Sequence, residues 1–268
     1  MPREITSFSN AVIKRVRALT QKKHRQADRQ FMAEGLRICT EALEAGHIPR
    51  LSIARTGDDH ALTRQLEAAV EDAGGEALRV PPDLISKIVG KDNPQAVVGV
   101  FDFLPTDLGR FDRSESGIWI VCQSLKDPGN LGTILRTADA VGAGGLVLTD
   151  QSCDPFSVEA VRASMGAAFT IPIAQCSGDD FFAWLRAGEG FLVGTSLRTD
   201  HDYQAVRYPA PTFLFMGNEQ HGLPPEYEDR CDALVKIPML GKADSLNVAV
   251  SCAVIAYEVL NQQRGSTA

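Results

Sequence analysis

The stretch Ile237-Pro238-Met239-Leu240-Gly241, followed by Ser245-Leu246-Asn247-Val248, is the part of the chain that says most about the fold. An apolar, strand-like run ends in a loop marked by Pro238 and Gly241, and small and amide residues then open a long apolar helix. Because proline and glycine disfavour a continued strand or helix, the loop keeps backbone N–H and C=O groups available for a ligand.

Two other segments have the same character. Phe213-Leu214-Phe215-Met216 stops at Gly217-Asn218-Glu219, and Asp127-Pro128-Gly129-Asn130-Leu131-Gly132 opens a helix that carries Arg136. Each polar loop follows a predicted strand. The sequence therefore predicts one composite site, built by one sheet.

From Ile118 onward, apolar runs alternate with helical patterns, and the runs are continuous, as in strands covered on both faces. The predicted strands are Ile118–Cys122, Leu146–Thr149, Ile171–Ile173, Phe191–Thr195, Phe213–Met216 and Ala233–Ile237; the predicted helices are Leu131–Val141, Val158–Ala167, Phe181–Arg186 and Ser245–Asn261. This alternation predicts an α/β fold with a mostly parallel sheet and helices on both faces. Ligands of such sheets bind at the carboxyl ends of the strands, where the three polar loops lie.

The first part of the chain is predicted to be a separate, small α/β domain over residues 1–103, joined by a linker over residues 104–117 to a domain over residues 118–268. The predicted helices are Phe31–Ala45 and Ala61–Ala73; the predicted strands are Leu51–Ala54, Ala77–Val80 and Ala96–Phe103. Pro105, Gly109, Gly117 and a run of charges mark the linker.

The net charge of −7 hides an asymmetry. Residues 1–55 carry 11 lysines and arginines against 5 acidic residues, whereas the remainder carries 16 against 29. A basic face on an acidic protein predicts a nucleic-acid phosphate partner, although a solvated helix face would have the same composition. The candidate RNA-binding residues in this cluster are Lys14, Arg15, Arg17, Lys22, Lys23 and Arg25.

Composition favours a cytoplasmic protein without a metal. The start of the sequence has no apolar signal region, and the longest nearly apolar run, Val248–Tyr257, is too short for a bilayer. The six cysteines and five histidines show no spacing of a zinc site, so we expect reduced thiols and no metal ligands.

No nucleophile elbow, Walker loop or G-x-G-x-x-G fingerprint is present. Gly142-Ala143-Gly144-Gly145 follows a helix and is interpreted as a tight helix-to-strand turn, which disfavours a dehydrogenase or another nucleotide-binding α/β enzyme.

Several polar residues of the three loops are open to a structural and a functional interpretation. Asn130 is suited to cap a helix or to hold a ligand group, and Arg136 to form a salt bridge or to reach an anionic site. Glu219 fits a surface turn or, between two glycines, a backbone pressed against a ligand. Ser245 fits an N-cap, whereas Asn247, predicted in the first helical turn, is a poor helix former there.

Together the three segments resemble the three motifs of the SpoU-type, or TrmH-like, RNA 2′-O-ribose methyltransferases of the SPOUT superfamily. The matching patterns are Asn130-x-Gly132-x-x-x-Arg136-x-Ala138 with Gly142, Gly217-x-Glu219-x-x-Gly222, and Ile237-Pro238-Met239-x-Gly241 with Ser245-Leu246-Asn247-Val248. The likeness covers about residues 118–262, and Arg162 to Ala167 is also typical of the family. The N-terminal part more weakly resembles the family's substrate-binding domain, with Glu34-Gly35-x-Arg37 adding Arg37 to the candidate RNA-binding residues.

The resemblance implies a trefoil knot, a homodimer with a shared active site, and bent S-adenosylmethionine held among the knotted loops. The implied cofactor-binding residues are Thr195, Gly217, Ile237, Met239 and Leu246. The implied catalytic residues are Arg136, Asn130, Glu219, Ser245 and Asn247. Arg136 would orient the nucleotide and stabilise developing oxyanion charge, and the other four would position it, the ribose and the cofactor.

The sequence thus predicts methyl transfer to a ribose 2′-hydroxyl, with ribosomal RNA favoured by the separate N-terminal domain. Two alternatives stay open: a transfer-RNA-directed 2′-O-methyltransferase, and a non-catalytic RNA-binding or assembly factor that keeps the fold.

Overall fold

The computed structural model describes residues 2–90 and 95–265. In chain order its strands are β1 (Arg3–Glu4), β2 (Gln30–Glu34), β3 (Leu51–Arg55), β4 (Glu76–Val80), β5 (Val97–Asp102), β6 (Ile118–Gln123), β7 (Leu146–Thr149), β8 (Ile173–Cys176), β9 (Phe191–Thr195), β10 (Thr212–Met216) and β11 (Ala233–Val235). Its α-helices are α1 (Ala11–Ala18), α2 (Lys22–Asp28), α3 (Leu36–Glu44), α4 (Ala61–Asp72), α5 (Pro82–Val89), α6 (Pro128–Ala140), α7 (Val158–Ser164), α8 (Ala167–Thr170), α9 (Gly178–Arg186), α10 (Pro225–Glu228) and α11 (Val248–Gly265).

These elements form two compact units. The first contains Met1–Leu104 and Asp154–Thr170, and the second contains Pro105–Cys153 and Ile171–Ala268. The family-typical stretch from Arg162 to Ala167 therefore belongs to the first unit, although it follows the predicted linker in sequence.

The first unit is built on a mixed five-stranded sheet in the order β1-β4-β3-β5-β2. Strands β1, β4 and β3 run parallel, and β5 is antiparallel to both β3 and β2. Because strand side chains alternate between faces, neighbouring residues of β2 enter different cores. Met32 packs with α1 and α5, whereas Phe31 and Ala33 pack with α3 and α4.

Two predicted helices of this unit are wrong in extent. The predicted helix Phe31–Ala45 begins only at Leu36, because residues 30–34 pair with β5 as a fully buried strand and Gly35 takes a φ of +118°. The predicted helix Val158–Ala167 is divided into α7 and α8, because Met165 and Gly166 both have positive φ.

The second unit is built on a parallel six-stranded sheet in the order β11-β9-β10-β6-β7-β8. Trp119 and Val121 of β6 pack on one face with Phe181 and Phe182 of α9. Helix α11 packs against β10 and β6 and also against α6. Since it contributes nothing to the α9 cluster, it covers the opposite face, and the predicted parallel sheet with helices on both faces is confirmed.

The strand order brings the predicted loops together. Strands β9, β10 and β6 are adjacent and parallel, with β11 beside β9, so the segments that follow them emerge at the same carboxyl edge. This edge holds the polar loops singled out from the sequence. No helix in the described ranges 2–90 and 95–265 has the length and hydropathy of a bilayer span.

Candidate active site

The carboxylate of Glu219 ties the loop after β10 to the start of α6. It accepts hydrogen bonds from the backbone N–H of Lys126 at 3.1 Å and of Asp127 at 3.0 Å, and from the side-chain amide of Asn130 at 3.4 Å. Hydrogen bonds to an ionised carboxylate are stronger than those between neutral groups. Glu219 therefore fixes the first and second sequence motifs against each other.

The same contacts set the charge of Glu219. Burial raises the pKa of the carboxyl, but the backbone N–H groups of Asp127 and Lys126, its own N–H and the Asn130 amide together lower this pKa below its ordinary value. Glu219 is therefore a carboxylate at neutral pH and acts as an acceptor.

Asn247 joins the third motif to the first. Its Nδ2 donates to Oδ1 of Asn130 at 2.9 Å, and its own Oδ1 accepts from the N–H of Ala249 at 2.9 Å and of Val250 at 3.4 Å. Asn247 thus caps α11, which begins at Val248. The residue therefore lies just before the helix and not in its first turn, where the sequence had placed it. We call Asn130, Glu219, Asn247 and the backbone of Lys126 and Asp127 the polar junction.

The cap of α6 differs from the sequence interpretation. Asp127, not Asn130, is the N-cap residue, and its carboxylate accepts from the N–H of Asn130 at 2.7 Å. Pro128 occupies the first helical turn, so the helix begins three residues before the predicted Leu131. The cap frees the Asn130 side chain for the polar junction. Asp followed by Pro was the sequence signal for this start.

A cavity of about 480 Å³ lies beside the polar junction, within the second unit. Its lining includes all five predicted cofactor-binding residues and two predicted catalytic residues, namely Thr195, Gly217, Ile237, Met239, Leu246, Glu219 and Ser245. The volume is in the range of small-molecule sites. Apolar Ile237, Met239 and Leu246 can pack against a purine, while the adjoining loops offer backbone groups, so the donor set fits S-adenosylmethionine.

Gly217 is constrained by the protein's own chain. A Cβ at this position would lie 2.3 Å from the backbone carbon of Gly222 and 2.4 Å from the nitrogen of Leu223. Asn218 and Gly222 exchange backbone hydrogen bonds of 3.0 and 2.9 Å across this tight loop, in which Gly222 has a φ of +68°. The two glycines are therefore required for the fold of the cavity wall. The sequence interpretation had instead assigned them to close approach of the backbone to a ligand.

Arg136 does not line the cavity in this single chain. It is exposed on α6, six residues beyond Asn130, and within residues 2–90 and 95–265 it has no ion-pair partner, so the salt-bridge interpretation is not supported. The exposed guanidinium is available to an anionic ligand.

Three side chains of the site escaped the sequence interpretation. Asn218 donates to the carbonyl of Ser124 at 2.8 Å and thereby supports the loop that carries Glu219. Arg198 and buried Glu228 form an ion pair at the wall of the cavity. Asn218 was visible inside the second motif, whereas no sequence pattern connects Arg198 with Glu228, which lies thirty residues later.

The predicted RNA-binding residues lie in the first unit, and all but one are exposed. We call Lys14, Arg15, Arg17, Lys22 and Lys23 of α1 and α2 the basic surface. Arg15 is partly engaged by Gln30 and Asp28, and exposed Arg37 of α3 pairs with Glu41.

Arg25 is a correction to that set. Arg25 is 3% exposed, and its guanidinium forms a 2.6 Å ion pair with Asp154 and also donates to the carbonyls of Leu19 and Thr20. The side chain is buried and paired inside the first unit, so it is not available to bind RNA. Its position in a basic cluster gave no sign of this, because Asp154 is 129 residues away.

Metal binding finds no support in the described part of the chain, which has no cluster of three or more His, Cys, Asp or Glu residues able to hold an ion.

Comparisons with known proteins agree with this geometry. Residues 117–257 match the SpoU rRNA Methylase family, and residues 10–99 match the MRM3-like substrate binding domain. The chain is 31% identical to the 23S rRNA (uridine(2479)-2′-O)-methyltransferase of Streptomyces viridochromogenes, over 97% of this chain and 93% of that protein. It is 28% identical to the 23S rRNA (guanosine(2553)-2′-O)-methyltransferase RlmP of Bacillus subtilis, over 96% and 99% of the two chains. Among solved structures, the AdoMet-bound rRNA methyltransferase of Sinorhizobium meliloti aligns with a TM-score of 0.91 and 42% identity, over 97% of each chain.

Proposed function

The chain belongs to the SpoU rRNA methylase family, and from this premise we propose that it transfers a methyl group from S-adenosylmethionine to a ribose 2′-hydroxyl of ribosomal RNA. The observation that carries the proposal is the polar junction, in which Glu219 and Asn247 both hold Asn130 beside the cavity. Three segments that are distant in sequence are thereby aligned into one site, which is the first requirement of an in-line transfer.

Thr195, Gly217, Ile237, Met239 and Leu246 are the residues that would hold the cofactor. When bound, S-adenosylmethionine supplies a methyl group on a sulfonium, so that a C–S bond breaks as a C–O bond to the ribose forms. Ile237, Met239 and Leu246 would pack against apolar parts of the cofactor, and the loop after β10 would supply backbone partners.

Arg136 is the residue we assign to the nucleotide. Its positively charged guanidinium is suited to hold a phosphate and to stabilise negative charge that develops on the 2′-oxygen. Asn130, Glu219, Ser245 and Asn247 position the helix and loops around it. The proton of the hydroxyl leaves to a neighbouring base or to solvent.

A homodimer completes the site in this proposal. Arg136 lies outside the cavity of its own chain, so we infer that it enters the cavity of the partner copy. The surface of α11 supports pairing, because Val250 and Tyr257 are 48% and 52% exposed on a helix that is apolar on most sides.

Mixed dimers test the shared site. Arg136→Ala lacks the guanidinium, and Leu246→Asp places a charge in the cavity, so neither variant alone should transfer methyl groups. If Arg136 acts in the partner's cavity, an equal mixture refolded together regains roughly a quarter of wild-type activity, since half of the dimers then hold one complete site. A mixture as inactive as its components would refute the sharing of the site.

RNA binding is assigned to residues 1–103, with residues 104–117 as linker and residues 118–268 as the methyltransferase domain. The exposed cations of the basic surface support the first assignment. Unpaired lysines and arginines displace counterions from the RNA when they contact its phosphates, and this release favours binding. The trefoil knot and a cytoplasmic location are further parts of the proposal that follow from the family.

The function is tested with purified protein, methyl-labelled S-adenosylmethionine, and ribosomal or transfer RNA from cells that lack the gene. We expect label in ribosomal RNA, recovered after nuclease digestion as a 2′-O-methylated nucleoside. Label on a base would contradict ribose chemistry, and label only in transfer RNA would favour the second substrate. No transfer to either RNA, with cofactor still bound, would favour a non-catalytic RNA-binding factor. The names of the two relatives specify a uridine and a guanosine as the methylated nucleoside. The base that this protein methylates is therefore identified from the labelled nucleoside.

A further inference from the structure

An aromatic ring at the start of the first unit gathers two cations from different helices. The guanidinium carbon of Arg17 in α1 lies 5.3 Å from the ring centre of Phe8, and the ammonium nitrogen of Lys87 in α5 lies 5.6 Å from the same centre. Phe8 is half-buried and packs against the core formed by α1 and α5. The ring is therefore held in place by the core, and it brings together Arg17 and Lys87, which are 70 positions apart in sequence.

The cations at this ring are poorly neutralised by the described residues. Arg17 has no ion-pair partner among residues 2–90 and 95–265. Lys87 has only Asp83 at 4.0 Å, in a helical pair whose side chains are 57% and 74% exposed, and such surface pairs contribute little. Lys14 extends the positive charge, because it lies three residues before Arg17 on the same side of α1.

We propose that Phe8 holds Arg17 and Lys87 as a clamp for phosphate groups of the RNA, an inference that rests on the proposed function. The negative face of the ring restrains two long side chains that would otherwise move freely, so less conformational entropy is lost when they bind. The two like charges that the ring collects favour an anion between or beside them. Neither Phe8 nor Lys87 belongs to the basic cluster of the sequence.

The opposite face of the sheet offers a matched control. Helices α1 and α5 pack on the core that contains Met32, whereas α4 packs on the core that contains Phe31. Arg64 of α4 is exposed and engages only a backbone carbonyl, that of Asp59, among the described residues. Arg64→Gln therefore removes one positive charge from the same unit without touching the clamp.

The test measures binding of a fluorescein-labelled single-stranded RNA oligonucleotide of mixed sequence by fluorescence anisotropy, at several salt concentrations. Each phosphate contact with a single strand contributes about 0.7 to the slope of log affinity against log salt, so raising salt from about 50 to about 200 mM costs about 2.6-fold per contact. For Arg17→Gln/Lys87→Gln we expect the salt-induced loss of affinity to be about sevenfold smaller than for wild type. Arg64→Gln should keep the wild-type slope. Equal slopes for the double variant and wild type, or an equal decrease with Arg64→Gln, would overturn the clamp.

Phe8→Leu tests the role of the ring, because leucine keeps the apolar packing and the net charge. We expect RNA affinity to decrease about twofold to fivefold, as removal of a cation–π contact allows. An unchanged affinity would overturn that role. Far-ultraviolet circular dichroism and urea unfolding of each variant show that the first unit, which carries the substitutions, is folded. Since the readout is binding, a protein that binds RNA through the clamp but transfers no methyl group would refute the proposed function and leave the clamp intact.

Discussion

The polar junction and the basic surface use their charged groups in opposite ways. At the junction, the Glu219 carboxylate is saturated by donors of its own chain, at 3.0 to 3.4 Å. On the basic surface, Lys14, Lys22 and Lys23 are exposed and have no ion-pair partner among the described residues. A group that is satisfied internally fixes geometry, whereas an unpaired group is available to a ligand. The contrast separates residues that position the reaction from residues that meet the RNA.

Loss of Arg136 is expected to reduce activity most, because this exposed arginine, like Lys14, Lys22 and Lys23, has no ion-pair partner among the described residues. Arg136→Ala should lower the rate of methyl transfer about 10²- to 10³-fold, the range for loss of one group that stabilises developing charge. Cofactor affinity, measured by isothermal titration, should stay at the wild-type value. Arg186→Ala, an exposed arginine of α9, is the control and should keep full activity. A parallel collapse of cofactor affinity would show that Arg136 supports the cavity instead.

Two neighbours in α2 sharpen the contrast between internal and external charges. Arg25→Met leaves the carboxylate of Asp154, which is 13% exposed, without its partner, and should lower the free energy of unfolding by about 3 kcal/mol. Lys22→Met should change stability by less than about 0.5 kcal/mol and instead weaken RNA binding. Urea unfolding and fluorescence anisotropy separate the two effects. Similar stability losses in both variants would show that the two side chains have the same structural role.

Replacing Glu219 tests the junction without altering its shape. Glu219→Gln halves the number of acceptor oxygens facing four donors and removes the charge. We therefore expect methyl transfer to decrease about 30-fold, in line with charge-assisted hydrogen bonds of about 2 kcal/mol. Glu226→Gln in α10 removes an exposed charge nearby and should have little effect. Wild-type transfer by Glu219→Gln would mean that the loops are aligned by other contacts.

Asn247→Ala should have a smaller effect on stability. It removes the cap of α11 and the contact with Asn130, which together should lower the free energy of unfolding by about 1 kcal/mol. Asn261→Ala near the end of the same helix is the control for exposed asparagine. Thermal unfolding of both variants gives the comparison, and an effect no larger than that of the control would exclude a capping role.

The pH dependence of Glu219 is the weakest expected effect. Because its folded pKa lies below the unfolded value of about 4.3, the carboxylate contributes stability at pH above that value, and the contribution is lost as pH falls through the folded pKa. The site is partly open to solvent, so we expect less than about 1 kcal/mol. Urea unfolding at pH 7 and near pH 3 should show a difference between wild type and Glu219→Gln that shrinks in acid. A difference that grows in acid would reverse the sign of the linkage.

The sequence predicted the second unit well, because its buried parallel strands are continuous apolar runs. Leu146–Thr149 and Phe191–Thr195 agree with the structure residue for residue. Residues 30–34 were missed because the run Gln-Phe-Met-Ala-Glu has no strand-like alternation; its strand state follows from pairing with β5, which is distant in sequence. Long-range pairing overrode local periodicity there.

Residues of the site could be predicted from the sequence only where they belong to a sequence motif. Gly217 and Glu219 of the second motif, and Ile237, Met239, Ser245 and Leu246 of the third, stand at fixed spacings, so these cavity residues could be named from the sequence. The partners of Arg25 and Arg198 could not, because Asp154 and Glu228 are brought to them by the fold alone. The same holds for the clamp, whose two cations share no segment.

A double-mutant cycle on methyl transfer tests most directly whether the three segments act as one site. Asn130→Ala and Asn247→Ala each remove the same 2.9 Å hydrogen bond between the first and third motifs. If that contact aligns the site, the double variant should be hardly slower than the slower single variant, with a coupling energy of about 1 kcal/mol in the transfer rate. Losses that simply multiply, with no coupling between the two positions, would contradict the account.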